Sequence, residues 1–202
     1  NKDNFVNEYF FHMQVAHCNN CSMVQLIDTP ERELMFNENY AFFSGTSQAM
    51  KAHFKNFAEN VKQNYLDKED PFVVELGCND GIMLKNFSQL RIRHLGIEPS
   101  LNVAQEANKV GVRTISEFFT EALAETIISK EGQADVFFAA NVICHIPNIV
   151  DLAKGIKKIL KPTGVLMFED PYLGDVIVKT SYDQIYDEHV FLFSAHSVQY
   201  LF

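Results

Sequence analysis

Phe72-Val73-Val74-Glu75-Leu76-Gly77-Cys78-Asn79-Asp80-Gly81 is a short apolar run that stops at an acidic residue and two glycines. It reads as a buried parallel strand turning into a helix that starts near Ile82. Glycine at such a turn lets the backbone approach a small molecule, and the helix N-terminus behind it offers free N–H groups to a negative group on that ligand. A dinucleotide fold would carry G-x-G-x-x-G here, whereas this chain has G-x-x-x-G with Glu75 ahead of it. A cofactor-cradling loop of another kind is expected, with Glu75, Gly77, Asn79 and Gly81 as its candidates.

Its partner follows about twenty residues on, the usual separation of such paired motifs. His94-Leu95-Gly96-Ile97-Glu98-Pro99-Ser100 predicts a second strand ending in a carboxylate. Glu98 there can accept hydrogen bonds from both ribose hydroxyls of an adenosine, and Pro99 cannot continue the sheet ladder. Taken separately, the two stretches are an ordinary tight strand-helix turn and a solvated strand end. Together, at this spacing, they favour adenosine binding. The pattern Glu75-x-Gly77-Cys78-x-x-Gly81 resembles the first motif of S-adenosylmethionine-dependent methyltransferases.

Onward from residue 72, apolar runs alternate with helical patterns. The spacing predicts strands near 72–77, 93–98, 112–115, 135–140 and 164–169, and helices near 81–90, 100–110, 120–130 and 149–160. That alternation implies an α/β fold with a doubly wound, Rossmann-like parallel sheet and ligands at the strand C-termini. Phe118-Phe119 follow the third strand, where an aromatic edge can flank an adenine or simply join the core. Asn141 ends the fourth strand and is expected in the same crevice, with His145 one helical turn later as either a catalytic or a structural histidine.

The composition fits a small-molecule enzyme. Of 202 residues, 47% are hydrophobic and 21% charged, and 17 basic against 26 acidic residues leave a net charge of −9. With no Lys/Arg cluster, nucleic acid and anionic membranes are poor partners. No run approaches a transmembrane helix, and Asn1-Lys2-Asp3-Asn4 lacks the regions of a signal peptide, so a cytoplasmic location is expected. Cys78 and Cys144 read as small buried hydrophobes. Cys18 and Cys21 differ, because they lie in a C-x-x-C knuckle between two strand-like runs, 9–15 and 23–27, as in one half of a zinc ribbon. His12 and His17 have no persuasive ligand spacing, a redox pair is the rival reading, and the missing zinc ligands are expected upstream of Asn1.

Four segments are expected: 1–28, zinc-ribbon-like; 29–70, helical and substrate-covering; 71–175, cofactor-binding; and 176–202, catalytic and leading into a truncated C-terminal part. In the second, Pro30 opens a short helix and another runs from about Ser47 through Asn64, with Met50, Phe54, Phe57, Ala58 and Val61 on one face. Between them, Asn39-Tyr40-Ala41-Phe42-Phe43-Ser44-Gly45-Thr46-Ser47 is suited to covering a ligand. Asp67-Lys68-Glu69-Asp70-Pro71 marks the boundary. Near the end Ser194 reads as an N-cap, and Val198, Leu201 and Phe202 begin an apolar face, so the natural protein is expected to continue.

Phe168-Glu169-Asp170-Pro171-Tyr172-Leu173-Gly174-Asp175 and Asp183-Gln184-Ile185-Tyr186-Asp187-Glu188-His189 make the reading more specific. With ELGCNDG, GIEPS and CHIP, they resemble the C-methyltransferases that act on nucleotide-linked 4-keto-deoxysugars in branched deoxysugar biosynthesis. The resemblance implies an N-terminal zinc region, a central S-adenosylmethionine domain, a C-terminal domain, and a substrate such as a thymidine diphosphate-linked sugar. It assigns Gly77, Asn79, Glu98 and the Phe118 region to the cofactor, and Tyr40, His145, Tyr186, Glu188 and His189 to the sugar. The likeness departs at Phe42, where the family pattern carries a second tyrosine.

The residue types suit that chemistry. Carbon becomes a nucleophile when a proton beside a carbonyl is removed, which requires a base with a pKa near neutrality, and hydroxyl donors can hold the enolate oxygen. His189 is the expected base, Glu188 its orienter or substitute, and Tyr186 with Tyr40 the donors. C3 is the favoured carbon, with C5 the alternative. Read without the resemblance, YDEH is a polar surface segment. Rival functions are a small-molecule O- or N-methyltransferase, and an inactive methyltransferase-like binding module.

Overall fold

The computed structural model describes residues 10–202. Two three-residue strands, β1 (Val15–His17) and β2 (Val24–Leu26), pair antiparallel with Val15 opposite Leu26. Pairing therefore begins where the expected first run ends, because only Val15–His17 lie opposite β2. Phe10 and Met13 are exposed, and Tyr9 lies outside the described residues. The C-x-x-C turn closes the hairpin, with the Cys18 N–H donating to Met23 O and the Ser22 N–H to Cys18 O.

One helical turn, α1 (Arg32–Met35), precedes the long α2 (Gln48–Tyr65), which Ser47 caps by accepting the Met50 N–H. Phe54, Ala58 and Val61 bury the face of α2 that their spacing marked out. The alternating part follows as β3 (Phe72–Leu76), α3 (Leu84–Gln89), β4 (Arg93–Ile97), α4 (Leu101–Lys109), β5 (Thr114–Ile115), α5 (Glu121–Glu131), β6 (Ala134–Ala140), α6 (Ile149–Ile159) and β7 (Leu160–Glu169). The chain ends with α7 (Leu173–Lys179), β8 (Phe191–Leu192) and α8 (Ala195–Leu201).

Strands β5-β4-β3-β6-β7 form a parallel five-stranded sheet in that order, with helices on both faces, the expected doubly wound class. Every residue of β3 is buried, as a central parallel strand requires. Phe72, Val74 and Leu76 pack toward α5 and α6, while Val73 packs toward α2, α3 and α4. The chain leaves β3 toward β4 and later returns to its other side as β6, which opens a crevice at the strand C-termini.

Three elements differ from the expectation. Helix α3 starts at Leu84 because the residues ahead of it include Asn79 and Gly81 with left-handed backbone, at φ 49° and 77°, which a right-handed helix does not admit. Strand β5 is two residues long, and β7 begins at Leu160 directly out of α6. Strand β8 pairs antiparallel with β2, Val24 opposite Leu192, so the N-terminal hairpin and the segment after His189 share a three-stranded sheet. Ser194 caps α8 through a reciprocal capping box with Ser197, and Val198 and Leu201 pack against the core. No helix among the described residues is long and apolar enough to cross a membrane.

Candidate active site

A cavity of about 1020 Å³ opens at the C-terminal ends of the central strands. Glu75, Gly77, Asn79, Glu98, Pro99, Phe118 and Asn141 line it, together with Tyr40, His145, Tyr186, Glu188 and His189. Three predicted site residues lie elsewhere. Gly81 packs on α4, where an added Cβ would come within 2.9 Å of Val112 and 3.1 Å of Ala107. Its left-handed φ makes the turn and its missing side chain admits α4, so Gly81 shapes the loop from behind. Cys18 and Cys21 sit on the β1–β2 hairpin.

At the β3–β4 end the carboxylates are buried. Glu98 Oε2 accepts the Asn79 N–H at 3.0 Å and its Oε1 accepts the Ser100 N–H at 2.9 Å. Burial pushes the Glu98 carboxyl up, and those two N–H groups oppose the shift. Glu75 is raised well above the usual carboxylate range by burial, with Glu98 and Asp80 adding to it, and its Oε2 has no hydrogen-bond partner. Gly77, at φ 64°, passes so close to Val142 that a Cβ would lie 2.4 Å from a methyl carbon of that residue. Of the adjacent aromatics, Phe118 lies under the Arg32 guanidinium at 4.1 Å, whereas Phe119 is buried with its ring 5.2 Å from Phe137.

Asn79 lines the cavity and also uses its side chain on the loop after Tyr40. Its Oδ1 accepts the Ser44 N–H at 3.0 Å and its Nδ2 donates to Phe42 O at 3.0 Å. Asp80 Oδ2 accepts the Gly45 N–H at 2.8 Å, and Asn102 Nδ2 donates to Tyr40 O at 2.7 Å. The Tyr40 loop is thus held on the cofactor-loop side by three side chains.

Across the cavity, His189 Nδ1 lies 2.7 Å from Gln184 O and Nε2 lies 2.9 Å from the Tyr186 hydroxyl. A carbonyl only accepts, so in the neutral ring Nδ1 carries the proton and the Nε2 lone pair accepts from Tyr186. Burial lowers the His189 pKa, opposed by the Gln184 carbonyl. Burial and the neighbouring His189 bring His145 down to about 4. The two imidazoles stand perpendicular with centroids 5.1 Å apart. Glu188 is raised by burial and by Asp187, and its Oε2 is 3.7 Å from His145 Nδ1, beyond hydrogen-bond range. Burial raises Tyr40 well above the tyrosine range, helped by Glu188 and Glu98. It raises Tyr186 to about 12, with Glu188 the next cause. At neutral pH the site therefore holds two uncharged histidines and two protonated tyrosines.

Other residues near the site were not among the predicted site residues, although Asp170 and Gln184 lie inside the motifs quoted above. Phe36 stands between Tyr40 and His145, its ring centroid 5.5 and 5.7 Å from theirs. Gln184 sets the His189 tautomer through its backbone, which any residue type could do. Asp170 is raised to about 6 by burial, and both its carboxylate oxygens are buried without a hydrogen bond. Ligating atoms of Cys144, His145 and His189 lie within 4.8 Å of one another, yet both ring nitrogens of His189 already have protein partners. Among the described residues no third His, Cys, Asp or Glu joins Cys18 and Cys21. Those thiols are half of the donor set that tetrahedral zinc takes, so the described residues do not assemble a zinc site.

Residues 48–202 match the methyltransferase domain family. The chain is 29% identical to the C-methyltransferase NovU of Streptomyces niveus over 201 residues, covering 100% of this chain and 48% of that protein. The chain thus spans about half the length of that relative. Among solved structures, a SAM-dependent methyltransferase from Archaeoglobus fulgidus superposes with a TM-score of 0.60 at 11% identity, covering 75% of this chain and 66% of that one. The plantazolicin methyltransferase BpumL in complex with SAH gives 0.56 at 17% identity, covering 73% and 60%. One from Anabaena variabilis gives 0.59 at 17% identity, covering 81% and 74%. At these identities the structural likeness shows the fold, that of SAM-dependent methyltransferases.

Proposed function

Because the chain belongs to the methyltransferase domain family, we propose that it methylates carbon, using S-adenosylmethionine and a nucleotide-linked 4-keto-deoxysugar, with C3 the favoured position. The observation that carries this reading is the neutral His189, its proton on Nδ1 and its Nε2 lone pair directed at Tyr186, facing the same cavity as Glu98. An O- or N-methyltransferase has little use for an enolising base of this kind. The similarity to a C-methyltransferase supports the same choice.

The residues at the β3–β4 end fit the cofactor. Glu98 offers a buried carboxylate to ribose hydroxyls, Glu75 has an unpartnered buried oxygen on the cavity, and Phe118 offers an aromatic edge. When bound, S-adenosylmethionine supplies an electrophilic methyl group. His189 Nε2 takes the proton from the carbon beside the keto group, and the C–H electron pair becomes the enolate. Tyr40, protonated at neutral pH, donates a hydrogen bond to the enolate oxygen as charge develops, and the Tyr186 O–H turns from His189 Nε2 to the same oxygen, which frees the Nε2 lone pair for the proton it takes. The His189 proton then passes to solvent.

The test combines the protein, S-adenosylmethionine and a thymidine diphosphate 4-keto-deoxysugar and reads a product heavier by one CH₂. Solvent deuterium should enter the reacting carbon. Binding of S-adenosylhomocysteine with no transfer to any keto-sugar would instead support a binding module. Transfer that survives replacement of His189 would support O- or N-methylation.

A further inference from the structure

From the hydrogen bonds that leave Asn79 in three directions, we infer that Asn79 is a positioning residue that couples cofactor binding to the placement of Tyr40. This rests on the methyltransferase reading above and deepens it. The Asn79 N–H donates to Glu98 Oε2, the carboxylate proposed for the ribose, at 3.0 Å. Its side-chain amide grips the loop after Tyr40 by a donor and an acceptor, to Phe42 O and from the Ser44 N–H, both at 3.0 Å. Asp80 adds a third contact at the Gly45 N–H, 2.8 Å. Whatever orders Glu98 and the turn after Gly77 therefore also orders the loop that carries Tyr40. By linkage, an acceptor held by Tyr40 tightens the cofactor in return.

The residue type matches the role. Asn79 is 8% exposed and sits at φ 49°, a backbone region open chiefly to Gly, Asn and Asp. Of these three, only asparagine carries both a donor and an acceptor in its side chain. Glycine keeps the backbone shape and the N–H to Glu98 while deleting the grip, so Asn79→Gly separates the two functions. From the loop side, a Cβ at Gly45 would stand 2.6 Å from Asp80 Oδ2, so Gly45→Ala disturbs the same clamp by a substitution outside the cofactor loop.

The decisive measurement is hydrogen-deuterium exchange at the Ser44 and Gly45 amides, which are themselves the donors to the clamp. In the ligand-free protein, Asn79→Gly should speed exchange at Ser44 roughly tenfold, the effect of one to two lost hydrogen bonds. Saturating S-adenosylhomocysteine should slow exchange across 42–46 in the wild type and in neither variant, although calorimetric affinity in Asn79→Gly stays within about threefold. In turnover, Tyr40→Phe should cost less in the Asn79→Gly background than alone, a non-additivity that a merely structural role would not produce. Equal ligand-free exchange in wild type and Asn79→Gly overturns the clamp. Equal protection by S-adenosylhomocysteine in both overturns the coupling. If the wild type does not bind S-adenosylhomocysteine, the cofactor reading and the coupling fail together, and the ligand-free exchange still decides the clamp.

Discussion

Replacing His189 by asparagine probes the proposed chemistry most directly. An asparagine amide can donate to Gln184 O from near the position of Nδ1, which now lies 2.7 Å from that oxygen, so the local fold keeps its anchor. Nothing then reaches the place of Nε2, and the proton acceptor is gone. A positioned general base contributes about 10² to 10⁴ in rate, or about 3 to 5 kcal/mol of barrier. Turnover should fall by that factor while both ligands bind nearly normally. The pH dependence carries a second signature. Burial holds the His189 pKa below its ordinary 6.5, so the ring is neutral at pH 7 and the wild-type kcat/KM should fall only at pH values below 6.5. That acid limb should vanish from the residual activity of His189→Asn. Steady-state rates across pH and deuterium wash-in at the reacting carbon provide the assay. Wash-in at the wild-type rate in His189→Asn, or an unchanged acid limb, would refute the assignment and turn attention to Glu188 or His145.

Other consequences follow from the same geometry. Glu98→Ala should weaken S-adenosylhomocysteine binding at least about tenfold by calorimetry, since one hydrogen bond to a charged group is worth roughly 1.5 to 3 kcal/mol. It should also lower the melting temperature, because the Asn79 and Ser100 N–H groups lose their buried acceptor. Tyr186→Phe should cost less in rate than His189→Asn, but it removes the hydroxyl that donates to the Nε2 lone pair, so the acid limb should move to higher pH. His145 is depressed to about 4 when folded, so the unfolded chain takes up its proton first as pH falls below 6.5. Its contribution to stability is present above 6.5 and lost down to about 4, by about 3 kcal/mol in all. Urea unfolding at several pH values should show this dependence flattened in His145→Gln. Backbone N–H groups of Cys21 and Asn20 hold the Cys18 thiol below its ordinary pKa, so Cys18 should alkylate with a lower pH midpoint than a free cysteine.

Local pattern was enough for the framework, because a buried parallel strand must be apolar and a covering helix must show one apolar face. Phe72–Leu76, the face of Phe54, Ala58 and Val61, and the Ser194 cap all declared themselves through periods and neighbours a few residues apart. The cavity residues at the ends of β3, β4 and β6 were also legible, since strand C-termini at a topological switch converge in space whatever lies between them, whereas Tyr40, Tyr186, Glu188 and His189 entered through the family resemblance. Tertiary structure alone decided what each of them touches. Gly81 and Asn79 belong to one motif, yet Gly81 makes room for α4 and Asn79 reaches back thirty-five residues to Ser44, a partnership that no spacing encodes. The pairing of β2 with β8 joins residues far apart in the chain through backbone hydrogen bonds, which are blind to side-chain type. Protonation was decided at the same level. A histidine has a pKa near 6.5 anywhere in a sequence, and only the fold buries His189 so that its pKa falls, sets its tautomer through Gln184 O and turns its Nε2 lone pair to the Tyr186 hydroxyl.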